Sequence, residues 1–185
     1  MMSDVLILID VQEAFHEPCW GERYGPNAEQ NIERLLNYFR SEHQPIIHIK
    51  HVSQDPSSLF HREHLQGLIY EPKIDEIIIE KEVNSAFIGT TLDTILRSHG
   101  WHHLTIAGIS LPHCVSTTTR MAQNLGFTVD LIEDATVSFE LKDLDGNQLN
   151  AQDVHTYNIA SLNHEFAYLY STKDYLRDRS YKKDW

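Results

Sequence analysis

The sequence predicts a three-layer α/β/α domain built on a mainly parallel, six-stranded sheet. Three observations point there. Short unbroken apolar runs recur along the chain, segments with helical apolar spacing separate them, and the alternation continues from end to end. A run with no polar alternation suits a strand covered on both faces, the condition inside a parallel sheet.

The first run, residues 5–9, reads Val-Leu-Ile-Leu-Ile and ends at Asp10. Comparable runs lie at residues 45–51, 77–79, 104–107, 129–132 and 166–170. Between them, Ile32, Leu35, Leu36 and Phe39 make one helical stripe, and Leu92, Ile95 and Leu96 make another. Residues 115–125 read as a helix closed by Gly126 at C′, and residues 154–162 read as the helix before the last strand. Right-handed crossovers turn this order into a Rossmann-like sheet, whose ligands bind beyond the carboxyl ends of the strands. Asp10 follows the first strand, Lys81 the third and Cys114 the fourth, so all three fall on that edge. Two long connections, residues 52–74 and 140–150, have the length of lids or interface elements.

A chain of 185 residues fits a single domain, residues 1–185. Its 15 basic and 27 acidic residues leave a net charge of -12, which argues against nucleic acid or an anionic membrane as partner. A small molecule remains the expected partner. The two cysteines, Cys19 and Cys114, lie far apart, as in a reducing compartment rather than a disulfide scaffold. The start of the chain lacks a signal-peptide pattern, and no run approaches the ~18 apolar residues of a membrane helix. The expectation is a soluble, cytoplasmic protein.

Cys114 opens a predicted helix, where unpaired N–H groups and the dipole favour thiolate and offer hydrogen bonds to an oxyanion. Read from position alone, it is either a nucleophile or a small buried hydrophobe. Asp10 closes an apolar strand and needs a partner or a raised pKa, which suits a general base and equally a capping carboxylate. Lys81 also ends an apolar run. It can pair with Asp10 on the same edge or stand on the surface.

The motifs join these three residues. Residues 5–15 give an apolar strand followed by D-x-Q-x-x-F, and Lys81 is followed by Ser85-Ala86-Phe87 and Gly89-Thr90-Thr91-Leu92. Then come Gly108, Cys114-Val115, Thr119-Arg120-Met121-Ala122, Gly126, Asp134-Ala135, Val154-His155 and Glu165-Phe166-Ala167. In this order the sequence resembles the isochorismatase-like cysteine hydrolases over nearly its whole length.

The resemblance implies roles. Cys114 would be the nucleophile, Asp10 its base, and Lys81 the cation that holds Asp10 ionised. A non-proline cis peptide before the cysteine would join Ile109 and Ser110, and the N–H groups of Ser110 and Cys114 would form the oxyanion hole. Phe15 and Phe87 match pocket-lining positions, and His113 stands beside the nucleophile as a further substrate contact. One departure is Leu111, where many relatives have threonine; Leu111-Pro112 adds a second bond open to the cis form. Nicotinamidases of the superfamily hold a metal through Asp-x-His beyond the second strand, where this chain reads His48-Ile49-Lys50-His51-Val52-Ser53. His61 and His64 have a chelating i, i+3 spacing but read as a solvated loop, so neither metal nor cofactor is expected. The implied activity is hydrolysis of a small amide, acyl or carbamoyl C–N bond through a thioester, in a homodimer or homotetramer. Vinyl-ether hydrolysis and a catalytically idle binding module are the alternatives. Cys114 argues against the first, because that branch typically lacks it, and the complete set of three argues against the second.

Overall fold

A computed structural model describes residues 4–64 and 67–181. Residues 65 and 66 of the long 52–74 connection, and the first three residues of the chain, lie outside that description. Six strands form the parallel body of the sheet: β1 (Asp4–Ile9), β3 (Ile46–His51), β4 (Ile77–Lys81), β5 (His103–Ile109), β6 (Thr128–Phe139) and β9 (Tyr168–Tyr170). Their spatial order is β4-β3-β1-β5-β6-β9, with the chain reversing direction across the sheet between β1 and β5. A seventh, two-residue strand, β2 (Arg23–Tyr24), pairs antiparallel with the far end of β6. The expected six-stranded parallel sheet is therefore present, with one short antiparallel addition.

Alternation along β1 explains the two covering layers. Leu6 and Leu8 face a cluster with Ile32, Leu35, Leu36 and Phe39 of α1 (Ala28–Ser41) and with Tyr175 of α5 (Thr172–Tyr181). Val5, Ile7 and Ile9 face the opposite cluster, which includes Leu92 and Leu96 of α2 (Leu92–Ser98) and Ala122 of α3 (Ser116–Asn124). Both faces of β1 are dry, since all five residues from Val5 to Ile9 are 0% exposed. That is the physical origin of the unbroken apolar run.

Several boundaries differ from the sequence reading. The helix α4 (Ala151–Leu162) starts three residues early, because Asn150 accepts a hydrogen bond from Asp153 N–H at 2.8 Å and caps it. The strand β6 runs on through Glu133-Asp134, and a register shift against β5 absorbs these charged residues. Gly126 has φ 88, the left-handed conformation of a C′ glycine. The connection 140–150 contains a small exposed hairpin of β7 (Leu141–Lys142) and β8 (Gln148–Leu149). Among the described residues no helix is long and apolar enough to cross a membrane.

Candidate active site

Four adjacent strands each deliver one side chain at their carboxyl ends: Lys81 from β4, His51 from β3, Asp10 just past β1 and Cys114 beyond β5. Close approach of the two central strands depends on Gly108, whose φ is 138. A Cβ there would lie 2.1 Å from the carbonyl oxygen of Ile9, so only glycine fits. Asp10 itself has φ 49, a region that aspartate tolerates better than most residues. Gln12, two residues on, grips the end of β3 with both ends of its amide. Its Nε2 donates to the carbonyl of His51 at 3.2 Å, and its Oε1 accepts from the His51 N–H at 2.8 Å.

The nucleophile segment takes a form the sequence did not suggest. Residues Leu111–Val115 make a π turn, and α3 begins only at Ser116. The N–H groups of His113 and Val115 both donate to the carbonyl of Ser110, each at 3.2 Å. The Ile109–Ser110 peptide bond is cis, where the resemblance places it, and Leu111–Pro112 is not. Cys114 therefore sits inside a tight turn, 8% exposed, two residues ahead of the regular helix.

Lys81 is the centre of the cluster. Its Nζ lies 2.8 Å from Asp10 Oδ2, 3.1 Å from His51 Nδ1 and 3.3 Å from Cys114 Sγ. The lysine and aspartate side chains are 0% and 1% exposed, so this ion pair is removed from water. Asp10 Oδ1 is buried and accepts no hydrogen bond among the described residues. A carboxylate oxygen, a ring nitrogen of His51 and Sγ of Cys114 all lie within 4.8 Å of one another. Those three groups could hold a metal ion, but the Lys81 ammonium touches all three and supplies the cation there.

The electrostatics follow from burial. Burial pushes the Asp10 carboxyl up, and the charge and hydrogen bond of Lys81 pull it back only in part. Burial, then the negative charge of Asp10, push the Cys114 thiol up to about 12 against the pull of Lys81. Cys114 lies in the turn that leads directly into α3, buried beside a carboxylate, and this burial opposes the thiolate that a helix start favours. His51 is driven down to about 4 by burial and by the Lys81 charge, so its ring is neutral at neutral pH.

The structure brings Asp10, Lys81 and Cys114 together, with Ser110 at the start of the same turn. Phe15 is buried in an aromatic cluster with Trp20 and Phe60, both with ring centroids 5.1 Å from its own, and Phe60 packs edge-on against His51. Phe87 shares the apolar cluster of Cys114 but stacks on Phe127, which precedes β6 at the opposite edge of the sheet. His113 is exposed beside the nucleophile. His61 and His64 stack edge to face on the partly exposed connection, and no third ligand joins them among the described residues. Sequence reasoning missed His51, Asn84 and Thr118. Cys114 Sγ approaches Asn84 Oδ1 at 3.9 Å, and Thr118 Oγ1 accepts from the Ala86 N–H at 3.1 Å, tying the lysine segment to α3. A histidine closing an apolar strand on the functional edge was a usable signal for the first of these.

Known proteins share this fold. The Isochorismatase domain profile matches residues 4–174. The isochorismatase family protein YrdC of Bacillus subtilis is 42% identical over 177 residues, which cover 94% of this chain and 94% of that protein. A solved structure of an isochorismatase-family protein from Chromobacterium violaceum superposes with a TM-score of 0.91 at 39% identity, covering 96% of this chain and 93% of that one. A shorter match, 39% identical over 66 residues, covers 36% of this chain and 26% of the ureidoacrylate amidohydrolase RutB of Pantoea ananatis. Strand order, profile and whole-length likeness agree, and the chain belongs to the isochorismatase family of hydrolases.

Proposed function

We propose that the protein hydrolyses a small amide, or a related acyl or carbamoyl C–N bond, through a thioester on Cys114. One observation carries the reading: a buried ammonium, Lys81, reaches both Asp10 and Cys114, while the second oxygen of Asp10 is left without a partner. A buried carboxylate oxygen with no hydrogen bond is costly, and a proton transferred from the thiol would satisfy it. Because burial holds the thiol near 12, free thiolate is scarce at neutral pH, so deprotonation and attack belong to one step.

In that step Asp10 takes the thiol proton as Sγ bonds to the carbonyl carbon. The N–H groups of Ser110 and Cys114 receive the developing oxyanion. Protonated Asp10 then gives its proton to the departing nitrogen, the C–N bond breaks, and a thioester remains. Water, deprotonated by Asp10, attacks the thioester and releases the acid and the thiol. Lys81 stays charged throughout, while the negative charge passes from Asp10 to the oxyanion and returns to Asp10 when the C–N bond breaks. Phe15, whose aromatic cluster reaches His51 through Phe60, would bound the apolar side of the substrate space, with exposed His113 beside the nucleophile; Phe87, stacked on Phe127, lies away from it. The amide reading draws further support from the RutB match, a protein named for amidohydrolysis.

The test is a mass measurement. Small amides and N-carbamoyl compounds, ureido acids among them, should leave an acyl or carbamoyl adduct on Cys114 in rapidly quenched samples. Cys114→Ser should retain less than about a thousandth of kcat with its fold intact. Near-normal turnover by that variant would rule out thiol attack.

A further inference from the structure

The three N–H bonds of the Lys81 ammonium meet three acceptors, and the third acceptor has no part in the mechanism above. It is Nδ1 of His51, 3.1 Å from Nζ. We propose that His51 is a positioning residue of this site: its neutral Nδ1 takes the third N–H of Lys81 and so holds the ammonium between Asp10 and Cys114. The inference rests on the hydrolase reading, because it assigns His51 a task in that reaction.

The chemistry of the two groups fixes the tautomer. An ammonium donates and cannot accept, so Nδ1 must present its lone pair and the ring proton must sit on Nε2. The surroundings keep the ring in that form. Lys81 opposes a second positive charge beside it, and Phe60 covers the ring at 5.2 Å; Glu82 and the Asp10 carboxylate, within 4.8 Å of a ring nitrogen, pull the other way. The Gln12 amide fixes the backbone of the same residue from both sides. His51 also stands opposite Lys81 in the β3–β4 register, so the pairing of two strand ends sets the distance.

A neutral acceptor suits this place better than a charged one. A second carboxylate would compete with Asp10 for the lysine, and an imidazolium would repel it. A missing acceptor would leave a buried ammonium N–H unpaired, which is costly and frees the chain to turn away. Neutral His51 avoids all three outcomes. It satisfies the cation without changing the charge balance between Asp10 and Cys114.

The test has two arms. In the first, nitrogen-15 NMR follows the His51 ring in the wild type and in Lys81→Met. We expect an uncharged ring protonated on Nε2 from pH 6 to 8, and a higher titration midpoint once the lysine charge is removed. A ring protonated on Nδ1, or an imidazolium at neutral pH, would overturn the proposal without reference to turnover. The second arm uses p-nitrophenyl acetate, which transfers its acetyl group to Cys114 Sγ and releases p-nitrophenolate. His51→Leu should slow acylation by about tenfold to a hundredfold, the effect of one lost hydrogen bond to a charged group, with KM little changed. His51→Asn places an amide oxygen near the position of Nδ1 and should recover most of the rate. Equal rates in wild type and His51→Leu, or no rescue by a folded Asn variant, would overturn the role. Absence of any Cys114-dependent acylation in the wild type would count against the hydrolase reading, and the NMR arm would still decide the place of His51.

Discussion

The strand β3 carries two histidines, buried His48 and half-buried His51, each with a carboxylate and a cation close by, and the two clusters are built to opposite ends. Near the start of β4, Glu76 accepts from Arg40 Nε at 2.6 Å, Arg40 Nη2 at 2.9 Å, His48 Nε2 at 2.7 Å and the Lys73 N–H at 3.1 Å. Burial opposes its charge, yet these bonds hold the carboxyl down to about 2. At the other end Asp10 has one cation, a bare second oxygen and a carboxyl pushed up by burial. The satisfied cluster ties α1 to the β4 edge. The unsatisfied one keeps a base in want of a proton. Similar residues thus give stability in one place and reactivity in the other, according to how many lone pairs are filled.

The comparison breaks most directly at Asp10 and Lys81. Asp10→Asn removes the base, and Lys81→Ala leaves a buried carboxylate that protonates and no longer accepts from the thiol. Each should lower kcat by about a thousandfold, and the double variant should be little worse than either, because the pair acts as one unit. Losses that multiply across the double variant would show that the residues act independently.

A second expectation concerns the thiol. Since burial and Asp10 hold Cys114 near 12, its alkylation by iodoacetamide should rise about tenfold per pH unit from pH 7 to 10 without a plateau. Peptide mass analysis separates it from exposed Cys19. A plateau below pH 9 would mean a thiolate preformed in the resting site.

The sequence carried Asp10, Lys81 and Cys114 because each lies at or beyond the carboxyl end of an apolar strand on one edge of a parallel sheet. It carried both faces of β1 for the same reason. His51 ends a strand in the same way, but its use depends on a side-chain bond to a residue thirty positions away. The helix α5 was missed because its stripe is thin: among the residues whose burial is described, Tyr175 is its one buried large side chain, held by stacking on Phe39 and by a hydrogen bond with Thr105. The far half of β6 was missed because Glu133-Asp134 interrupts the apolar run. Asp134 is used there as an acceptor for the Thr172 N–H and hydroxyl, both at 2.7 Å, a tertiary contact that periodicity does not report. The π turn at Cys114 has no sequence rule of comparable strength, and neither the burial of the thiol nor its closeness to Asp10 is legible without it.

The smallest expected effect on turnover, and the sharpest contrast, lies at Glu76. Glu76→Gln keeps the shape but removes the charge that Arg40 and His48 share, and breaking a buried pair of this kind costs about 3 kcal/mol. For a chain of this size that lowers Tm by about 6–12 °C. The cost should itself depend on pH, with a sign set by the depressed carboxyl. Glu76 titrates near 2 when folded against an ordinary 4.5, so its contribution is complete above about pH 5. It fades as pH falls from 4.5 toward 2, where the wild-type carboxyl also becomes protonated. Thermal unfolding of both proteins should therefore differ by a constant amount above about pH 7, where His48 is neutral in both, and converge at low pH once Glu76 is protonated. Throughout the upper range kcat should stay within about twofold of wild type, because separate clusters with no shared partner act additively. If Glu76→Gln instead costs activity as heavily as it costs stability, the two ends of β3 are coupled. The division between a stabilising cluster and a reactive one would then be wrong.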